Sequence, residues 1–350
     1  MPRRDPVLRF DPAGIHCPAG GFFIDPWRPV ARAVITHAHA DHARPGMGAY
    51  LCTPLTAAVL RHRLGDRRIE VMDYGETRQI GDARVSFHPA GHVPGSAQVR
   101  VEAGGEVWVV SGDYKTEADG LADPFAPVRC HAFVTECTFG LPVFRWRPQA
   151  EVMAEVGDWW HQTAAAGRVA MLGAYSLGKA QRLLAALPEG PGPVLTHGAV
   201  EGVTQVLRDA GLALPDTIPV TAETDPKAHP GALVVAPPGA LGTAWARRFG
   251  PASTAFASGW MALRGIRRRR AGDRGFAVSD HADFAGLTGA VVATGCERVF
   301  ATHGYTASFS RWLAEKGLEA GIVATEFAGE DIDAAPEAEA PAAEAPGAAP

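Results

Sequence analysis

The sequence contains little that would place it outside the ordinary globular proteins. No apolar stretch reaches the length of about 18 residues that a transmembrane helix needs, and the first residues lack the apolar run of a secretory signal. Only five cysteines occur among 350 residues, and no two form a CxxC pair. A disulfide framework or a cysteine-based zinc knuckle is therefore not expected, and buried free thiols in a reducing cytoplasm fit best.

Lysine is also scarce, and charge is distributed unevenly along the chain. The formal net charge is −5, and residues 331–350 contain five acidic residues but no lysine or arginine. The remaining chain is therefore balanced, which does not exclude a nucleic-acid partner, because clustering of basic residues matters more than their total. The same segment is rich in alanine, proline and glutamate without hydrophobic periodicity, which predicts a disordered tail.

Hydrophobic residues make up 47% of the chain, enough for a sizeable core. The first part is dominated by short β-rich runs bounded by glycine, proline or aspartate. Strands are predicted over residues 31–36, 85–88, 98–102 and 106–111, and a helix over Pro54–Leu64.

Near residue 148 the pattern changes to an alternation of helices and strands. The predicted elements are, in order, a helix over 148–166, a strand over Val169–Gly173, a helix over 177–187, a strand over 193–196, a helix over 200–210 and a strand over 232–236. Such alternation predicts βα units and a parallel sheet, so the fold class is α/β.

Short strands return after this region, at residues 276–279 and 298–301, and each precedes a predicted helix, near 283–294 and 308–317. The simplest organisation is one domain that is interrupted by a second one. The predicted boundaries are 1–147 for the first part, 148–274 for the insertion, 275–330 for the return segment and 331–350 for the tail.

The most informative motif is THAHADH at residues 36–42, which follows an apolar strand directly. Residues two apart share a face of a strand, so His37 and His39 are expected to point into one site. Asp41 and His42 reach a neighbouring position only if the chain turns there. Imidazole and carboxylate groups are ligands for zinc, manganese or iron. The alternative is a polar loop of solvated histidines.

Matching residues recur downstream, again at the ends of predicted strands. His92 lies in AGHVPGS, Asp113 in SGDY and His303 in THG. Two metal ions need about this many ligands. The segments together predict a metal centre rather than isolated surface histidines.

This series of motifs resembles the metal signature of the metallo-β-lactamase fold superfamily. The resemblance implies a four-layer αββα sandwich with its ligands on loops at one edge. It assigns the ligands as follows: one metal ion to His37, His39 and His92, a second to Asp41, His42 and His303, and a bridging role to Asp113. Asp25, in FIDP, matches the family's early aspartate and would orient the metal loop by hydrogen bonds.

The long interval between Asp113 and His303 leaves room for the inserted domain, an arrangement that resembles the β-CASP nucleases. Glu136 in TECT matches the first β-CASP motif, His281 in SDHAD the second, and His303 the third. YSLGKAQ at residues 175–181 is similar to the start of the first helix of the inserted domain. A structural role is the alternative for Glu136 or His281 taken alone.

A finer resemblance concerns FASGWM at residues 256–261, which is followed by an arginine-rich segment and SDHADF. This order is similar to bacterial ligase-associated DNA exonucleases, which are compact β-CASP proteins of about this length, and the resemblance covers residues 7–328. DNA nucleases of the Artemis type usually lack a histidine at the third motif, whereas RNA-processing members keep it. His303 is present here, so both substrates stay open.

The segment GAYSLGK at residues 173–179 fits the start of a P-loop, but Ala180 stands where serine or threonine would bind magnesium. An NTPase is therefore not expected. Ser176 is predicted to cap the N-terminus of a helix there, where Ser176 and Lys179 would hold a substrate phosphate. An ordinary cap beside a surface lysine is the alternative.

Six arginines lie between residues 264 and 274. Four of them are consecutive: Arg267, Arg268, Arg269 and Arg270. Their closeness in sequence to His281 favours a track for backbone phosphates, with binding that weakens as salt rises, although such a run is usually a solvated face. Trp260 either stacks a base or belongs to the core.

The leading hypothesis is a two-metal phosphodiesterase acting on nucleic acid, a DNA exonuclease by resemblance, with zinc or manganese as its two divalent ions. A hydroxide bridging the ions would attack, Asp113 would fix their spacing, and Asp41 would accept the proton of the water. His281 would protonate the leaving sugar oxygen, while Glu136 holds its tautomer and raises its pKa. Association with a DNA ligase or helicase is implied by the subgroup resemblance alone, and no membrane partner is expected.

Three alternatives remain. An RNA-processing nuclease would use the same site. The long insertion and the arginine run argue against a small-molecule hydrolase of the thioester or lactam type, and the complete ligand set argues against a non-catalytic binding protein.

Overall fold

Three β-sheets organise the chain, and the computed structural model of the protein describes residues 6–270 and 272–326, without the side chain of Arg270. The predicted tail at residues 331–350 lies outside the described residues. The first sheet has its strands in chain order: β1 (Arg9–Asp11), β2 (Gly14–Cys17), β3 (Phe22–Ile24), β4 (Ala33–Val34), β5 (Tyr50–Cys52) and β6 (Ile69–Val71). The strands are antiparallel up to β3 and parallel beyond it.

The second sheet combines a meander with three later strands. Its members are β7 (Thr77–Ile80), β8 (Ala83–Pro89), β9 (Ala97–Ala103), β10 (Glu106–Val110), β11 (Ala132–Cys137), β18 (Arg298–Gly304) and β19 (Glu319–Ile322). Their spatial order is β19-β18-β11-β10-β9-β8-β7. Pairing is parallel from β19 to β10 and antiparallel from β10 to β7.

The third sheet is entirely parallel, as the alternation of predicted helices and strands indicated. Its strands are β12 (Val169–Gly173), β13 (Val194–Thr196), β14 (Ile218–Pro219), β15 (Leu233–Ala236), β16 (Ala252–Ala257) and β17 (Arg274–Phe276). Their order is β14-β13-β15-β12-β16-β17. Strand β12 lies in the interior of the sheet and is buried along most of its length. Its sequence is apolar throughout, because both of its faces are covered.

Eight α-helices lie among the described residues: α1 (Pro54–Leu64), α2 (Gln149–Ala165), α3 (Lys179–Ala186), α4 (Gly198–Asp209), α5 (Ala244–Arg247), α6 (Arg264–Arg270), α7 (Phe284–Thr294) and α8 (Thr306–Glu315). None of the helices in residues 6–326 is both long and apolar enough to span a bilayer. Helix α1 has the predicted bounds, because Thr53 caps its first turn, Pro54 opens it, and Gly65 at φ 70° ends it.

The first two sheets pack against one another over a shared apolar core. Phe22 and Ile24 from the first sheet meet Phe87, Val99 and Trp108 from the second. All five side chains are almost fully buried, and each contributes about 1.5–3 kcal/mol by leaving water.

The outer face of each sheet carries helices. Tyr50 of the first sheet packs with Leu60 of α1, and Val299 of the second sheet packs with Leu287 of α7 and Leu313 of α8. The five cysteines are free and buried, as the sequence predicted.

Three predicted elements near the site differ from the structure. The helix predicted over 177–187 begins only at Lys179, because Gly178 occupies the N-cap position with φ 85°. Such a backbone conformation suits glycine and cannot continue a right-handed helix. Ser176 is therefore not the N-cap residue, and that prediction was wrong.

The second difference concerns the return of the chain. A strand was predicted over 276–279 as part of the return segment, but β17 ends at Phe276 and pairs with β16 in the third sheet. The strand predicted over 31–36 is also shorter than expected. Its last residue, Thr36, donates its N–H to a carboxylate oxygen of Asp25 at 2.8 Å instead of extending the ladder.

Candidate metal centre and catalytic pair

The histidines and aspartates of the sequence motifs converge at one edge of the first two sheets. His37, His39, Asp41 and His42 follow β4 in a single loop. The other contributors follow or end strands of the second sheet: His92 after β8, Asp113 after β10, and His303 near the end of β18. We call the six residues His37, His39, His42, His92, Asp113 and His303 the histidine cluster.

Asp113 lies at the centre of the histidine cluster. Its Oδ2 atom is 3.5 Å from Nε2 of His37, 3.5 Å from Nε2 of His42 and 3.7 Å from Nε2 of His92. Its Oδ1 atom is 2.8 Å from Nε2 of His303. His39 completes the cluster, because its Nδ1 atom lies 3.0 Å from Nε2 of His37 and 3.1 Å from Nε2 of His92.

The separations of 3.5–3.7 Å around Oδ2 of Asp113 fit side chains that share metal ions, while those of 2.8–3.1 Å at His39 and His303 are also compatible with direct hydrogen bonds. Ligand atoms arranged tetrahedrally about 2.1 Å from a zinc ion lie about 3.4 Å apart, whereas direct hydrogen bonds to oxygen are about 2.7–3.2 Å long. Four groups of ligand atoms among the described residues lie within 4.8 Å of one another, and two of them consist of histidine-cluster residues alone. One of these two comprises His37, His39, His92 and Asp113, and the other His42, Asp113 and His303. Asp113 belongs to both groups, so the residues present fit two ions with one shared carboxylate.

Each histidine of the cluster is held by its second ring nitrogen. The partners are Oγ1 of Thr36 for His37, the carbonyl of Leu177 for His39, Oδ2 of Asp25 for His42, the carbonyl of Asp280 for His92 and Oγ1 of Thr302 for His303. An acceptor at one nitrogen fixes the proton there and leaves the other nitrogen as a donor of electrons toward a metal. The ring orientations are therefore set before any ion binds.

Asp25 is the organiser of the loop that carries four of the predicted ligands. It is buried, and its carboxylate accepts hydrogen bonds from the backbone and side chain of Thr36 and from Nδ1 of His42, the last at 2.8 Å. Gly112 makes room for this arrangement. It adopts φ 58°, and a Cβ atom there would lie 2.6 Å from the Thr36 side chain.

Burial and the central carboxylate set the charges of the cluster. Burial lowers the pKa of His37 and of His92 well below the usual value, so both rings are neutral. Burial also opposes the charge of His42, but Asp113 and Asp41 outweigh it and raise the pKa of His42 well above the usual value. Burial alone would raise the pKa of Asp113, yet His42, His303 and His281 hold it well below the usual value. A carboxylate thus sits among imidazoles, which is a site that attracts cations.

Asp41 lies at the rim of the cluster. One of its carboxylate oxygens is 3.8 Å from Nε2 of His42, and its side chain is 17% exposed. The side chains of His42, Asp113 and His303 are less exposed than that of Asp41. A solvent molecule can therefore reach the Asp41 carboxylate.

Glu136 and His281 form a buried pair beside the histidine cluster. Nδ1 of His281 lies 2.9 Å from both carboxylate oxygens of Glu136. Glu136 is itself fixed, because it accepts hydrogen bonds from the N–H of Tyr114 at 2.8 Å and from Oγ1 of Thr138 at 2.6 Å. The ring of His281 is 4.7 Å from that of His92 between centroids. Sequence spacing of 145 residues gave no hint of this contact; only the family resemblance did.

The electrostatics of this pair favour a protonated imidazole. Burial opposes the charge of His281, but Glu136 and Asp113 outweigh it, so the pKa of His281 is raised above the usual value. Since the carboxylate accepts the Nδ1 proton, Nε2 is the nitrogen that exchanges a proton with another group.

The residues predicted for phosphate binding lie in two different environments. Lys179 is fully buried, and its Nζ atom lies 3.8 Å from Oδ1 of Asp280 and 4.9 Å from the ring centre of Tyr175. Ser176 is also buried. In contrast, Arg267, Arg268 and Arg269 are exposed on α6, while the side chain of Arg270 lies outside the described part of the chain.

Lys179 belongs to a group of buried charges that sequence reasoning missed. Arg182, one helical turn further along α3, pairs with Asp119 at 2.6 Å and donates to the carbonyls of Ser279 at 2.6 Å and His92 at 3.3 Å. We call Asp119, Lys179, Arg182 and Asp280 the arginine cluster. The nearest sequence signal was the position of Asp280 directly before His281.

The chain is similar to several proteins of known name. It is 36% identical over 313 residues to a protein of Opitutus terrae named Probable DNA ligase, a match that covers 89% of this chain and 30% of that protein. It is 29% identical to a ribonuclease of Thermus thermophilus, over 52% of this chain and 46% of that protein. It is 33% identical to an endoribonuclease of Candida albicans, over 35% of this chain and 14% of that protein.

The chain spans less than half the length of each of these curated relatives. No family model matches it. Among solved structures, a protein of unknown function from Enterococcus faecalis is similar in fold, with a TM-score of 0.53 and 11% identity over 77% of this chain and 74% of that one. This likeness concerns the mixed α/β fold alone.

The names of the three relatives all refer to reactions on nucleic acid. Two of them are named for the cleavage of nucleic acid and one for its joining, and the match to the last covers most of this chain. Together with the order of the motifs along the sequence, these similarities support the family that the sequence resembles: the chain belongs to the β-CASP family of the metallo-β-lactamase superfamily.

Proposed function

We propose that this protein is a metal-dependent phosphodiesterase that cleaves nucleic acid. The observation that carries the proposal is the convergence of five imidazoles on the shared carboxylate Asp113, directly beside the Glu136–His281 pair. A phosphodiester needs an activated water on one side and a proton for the leaving oxygen on the other. With divalent ions bound at the histidine cluster, these two neighbouring groups of side chains would supply both.

The histidine cluster would hold two divalent ions, zinc or manganese. His37, His39 and His92 would bind one ion and Asp41, His42 and His303 the other, with Asp113 shared. When two such ions are bound, they lower the pKa of water and neutralise charge that develops on the phosphate. Asp41 lies where it can accept a proton from attacking water, and Asp25 fixes the orientation of His42.

His281 would donate the proton to the departing sugar oxygen. Glu136 holds the proton at Nδ1, so the Nε2 proton of the imidazolium is the one that transfers. After the transfer the imidazole is neutral, and Glu136 still accepts the hydrogen bond from Nδ1. Exposed Arg267, Arg268 and Arg269 would contact the phosphates of the backbone, and Arg270 continues the same run. Ser176 and Lys179 would bind a substrate phosphate after substrate binding exposes them, because both are buried in the free protein.

DNA is the substrate class we favour, with exonucleolytic action. The relative named Probable DNA ligase matches 89% of the chain, whereas the two ribonuclease relatives match 52% and 35% of it. A region like this chain within a longer protein named for DNA joining also supports a partnership with a DNA ligase, and a helicase is a further partner of that kind. RNA cleavage by the same site is the second candidate, because two of the relatives are named for that activity.

The proposed architecture follows the same family. Residues 1–147 and 275–330 would form the metallo-β-lactamase αββα sandwich, and residues 148–274 the inserted β-CASP domain. The packing of helices on the outer faces of the first two sheets supports the sandwich, and the all-parallel third sheet supports the insertion.

The test is a cleavage assay on end-labelled single strands of DNA and RNA with identical sequence, with added Mn²⁺ or Zn²⁺. Shortening of DNA from one end, absent with Asp113→Ala protein, is the expected result and gives the polarity of digestion. Cleavage of RNA alone would move the protein to the RNA-processing members. If neither nucleic acid is cleaved, the proposed function is wrong and a small-molecule hydrolase becomes the leading alternative.

A further inference from the structure

A group of five aromatic rings borders the proposed catalytic pair. Phe139 and Phe144 are buried, while Trp146, Trp260 and Tyr305 are partly exposed above them. We call these five residues the aromatic cluster. The ring of Trp260 lies 5.0 Å from that of Phe139, 5.6 Å from that of Phe144 and 6.3 Å from that of Tyr305. The two phenylalanines thus support partly exposed rings from below.

The aromatic cluster is tied to the reacting groups by short contacts. Nε1 of Trp146 donates to the carbonyl of His281 at 2.8 Å, and the ring of Phe139 lies 5.9 Å from that of His281. Tyr305 follows His303 by two residues, and its N–H donates to the carbonyl of Cys137 at 3.0 Å. Phe139 therefore contacts both the ring of His281 and the ring of Trp260, which links the aromatic cluster to the catalytic pair.

Basic residues follow directly after a residue that packs with Trp260. Trp260 packs in one apolar group with Met261 and with Ile266 of α6. The exposed arginines Arg267, Arg268 and Arg269 follow Ile266 directly on that helix. Flat apolar surface beside exposed guanidinium groups is the combination that binds single-stranded nucleic acid, since bases stack on the rings and phosphates contact the cations.

We propose that Trp260 and Tyr305 form a stacking platform for an unpaired base adjacent to the phosphodiester that is cleaved. The platform would make the protein act on single-stranded ends, because a base inside a duplex is already stacked on both faces. This inference rests on the proposed function for the bond that is cleaved, but the stacking contact needs no metal ion. A purely structural role for the rings is the outcome that must be separated from it.

The first experiment measures binding without metal. Wild-type protein in EDTA is titrated with fluorescent single-stranded oligonucleotides that are complete or carry one abasic site at successive positions from the end. We expect an abasic site at one of these positions to weaken binding by about 5- to 100-fold relative to the complete strand. Trp260→Leu should bind the complete strand as weakly as wild type binds that abasic strand, and Trp260→Phe, which keeps a ring, should restore most of the difference.

Trp245→Leu is the matched control, because Trp245 is also a partly exposed tryptophan but lies on α5 against His197, with ring centres 4.7 Å apart. Its abasic pattern should equal that of the wild type. Equal binding of complete and abasic strands by wild type would overturn the platform. An unchanged abasic pattern in folded Trp260→Leu would also overturn it. Should Trp260→Leu not fold, an unchanged pattern in folded Tyr305→Leu would do the same.

Cleavage of the same strands then separates the two proposals. If abasic sites alter metal-free binding but no strand is cleaved with metal, the platform stands and the proposed function fails. If complete and abasic strands are cleaved with equal kcat/KM, the function stands and the platform fails.

Discussion

Two buried clusters of charge lie side by side in this protein, and they are built on opposite plans. In the histidine cluster, the central carboxylate of Asp113 lies 3.5–3.7 Å from three ring nitrogens, and those rings are neutral or balance its charge. In the arginine cluster, Arg182 contacts Asp119 at 2.6 Å, and Lys179 faces Asp280. The first cluster has a carboxylate that metal cations could share, whereas the carboxylates of the second are already paired with the cationic side chains of Arg182 and Lys179.

The histidine cluster is the proposed site of the chemistry, whereas the arginine cluster holds neighbouring segments in position. Arg182 binds the carbonyls of Ser279 and His92. His92 and His281 therefore receive their places in part from helix α3 of the third sheet. A buried cluster of paired charges is no strong source of stability in itself, but it fixes geometry, because each charge accepts few other partners.

Among single substitutions in the two clusters, the largest effect is expected at Asp113. Asp113→Ala should lower nuclease activity by roughly 10³-fold or more, because both proposed ions lose a ligand. Metal content, measured by mass spectrometry, should fall with it. In addition, Zn²⁺ or Mn²⁺ should raise the melting temperature of wild type but not of Asp113→Ala, since a ligand stabilises only the state that binds it. Full metal content in a folded Asp113→Ala protein would refute the shared-carboxylate assignment.

His281 should separate proton transfer from metal binding. His281→Ala is expected to reduce kcat by about 10²- to 10⁴-fold, the usual contribution of a positioned acid, while metal content stays at the wild-type level. A substrate with a better leaving group, such as a nitrophenyl phosphodiester, should recover much of the loss because it needs no proton. Wild-type turnover by His281→Ala on DNA would exclude the general-acid role.

In the arginine cluster, apolar replacement should change the stability of the protein but not its capacity to bind metal. Arg182→Leu leaves buried Asp119 without its partner and should reduce the free energy of unfolding by about 3–5 kcal/mol. The double variant Arg182→Leu/Asp119→Leu should recover much of that loss in urea denaturation, because no charge remains unpaired. Metal should still raise the melting temperature of the double variant. Failure of the second change to restore stability would mean that the pair is not self-compensating.

The smallest effect is expected at the exposed arginines of α6. Replacing Arg267, Arg268 and Arg269 singly with glutamine should weaken DNA binding modestly, and each replacement should reduce the slope of log affinity against log salt by about one. Lys179→Gln supplies the contrast, since its fully buried side chain pairs with Asp280 and should leave the salt slope unchanged. A lower slope in Lys179→Gln instead would restore the direct phosphate role predicted from its sequence.

Much of the histidine cluster was predictable because its signal is local. The loop at residues 36–42 supplies His37, His39 and His42, and the structure brings these together with His92, Asp113 and His303, which the sequence had singled out at strand ends. Asp41 of the same loop lies at the rim, 3.8 Å from His42. The parallel third sheet was likewise predictable from alternating periodicities. Three-residue strands such as β5 and β6 were missed, because three residues are too few to show an alternation of apolar and polar side chains.

Where a side chain points was decided by contacts that no local pattern encodes. Lys179 follows a glycine-rich turn like that of a phosphate loop, yet the left-handed Gly178 delays the helix and the lysine is enclosed beside Asp280. The pairing of Arg182 with Asp119 likewise joins distant segments.

The sequence by itself determined which side chains are available for metal binding and the order in which strands present them, since both depend on residues close together in the chain. Only the tertiary structure decided which charges face the proposed ions and which neutralise one another. That choice depends on burial, where an unpaired charge is costly and each one must find an opposite partner across the packed sheets.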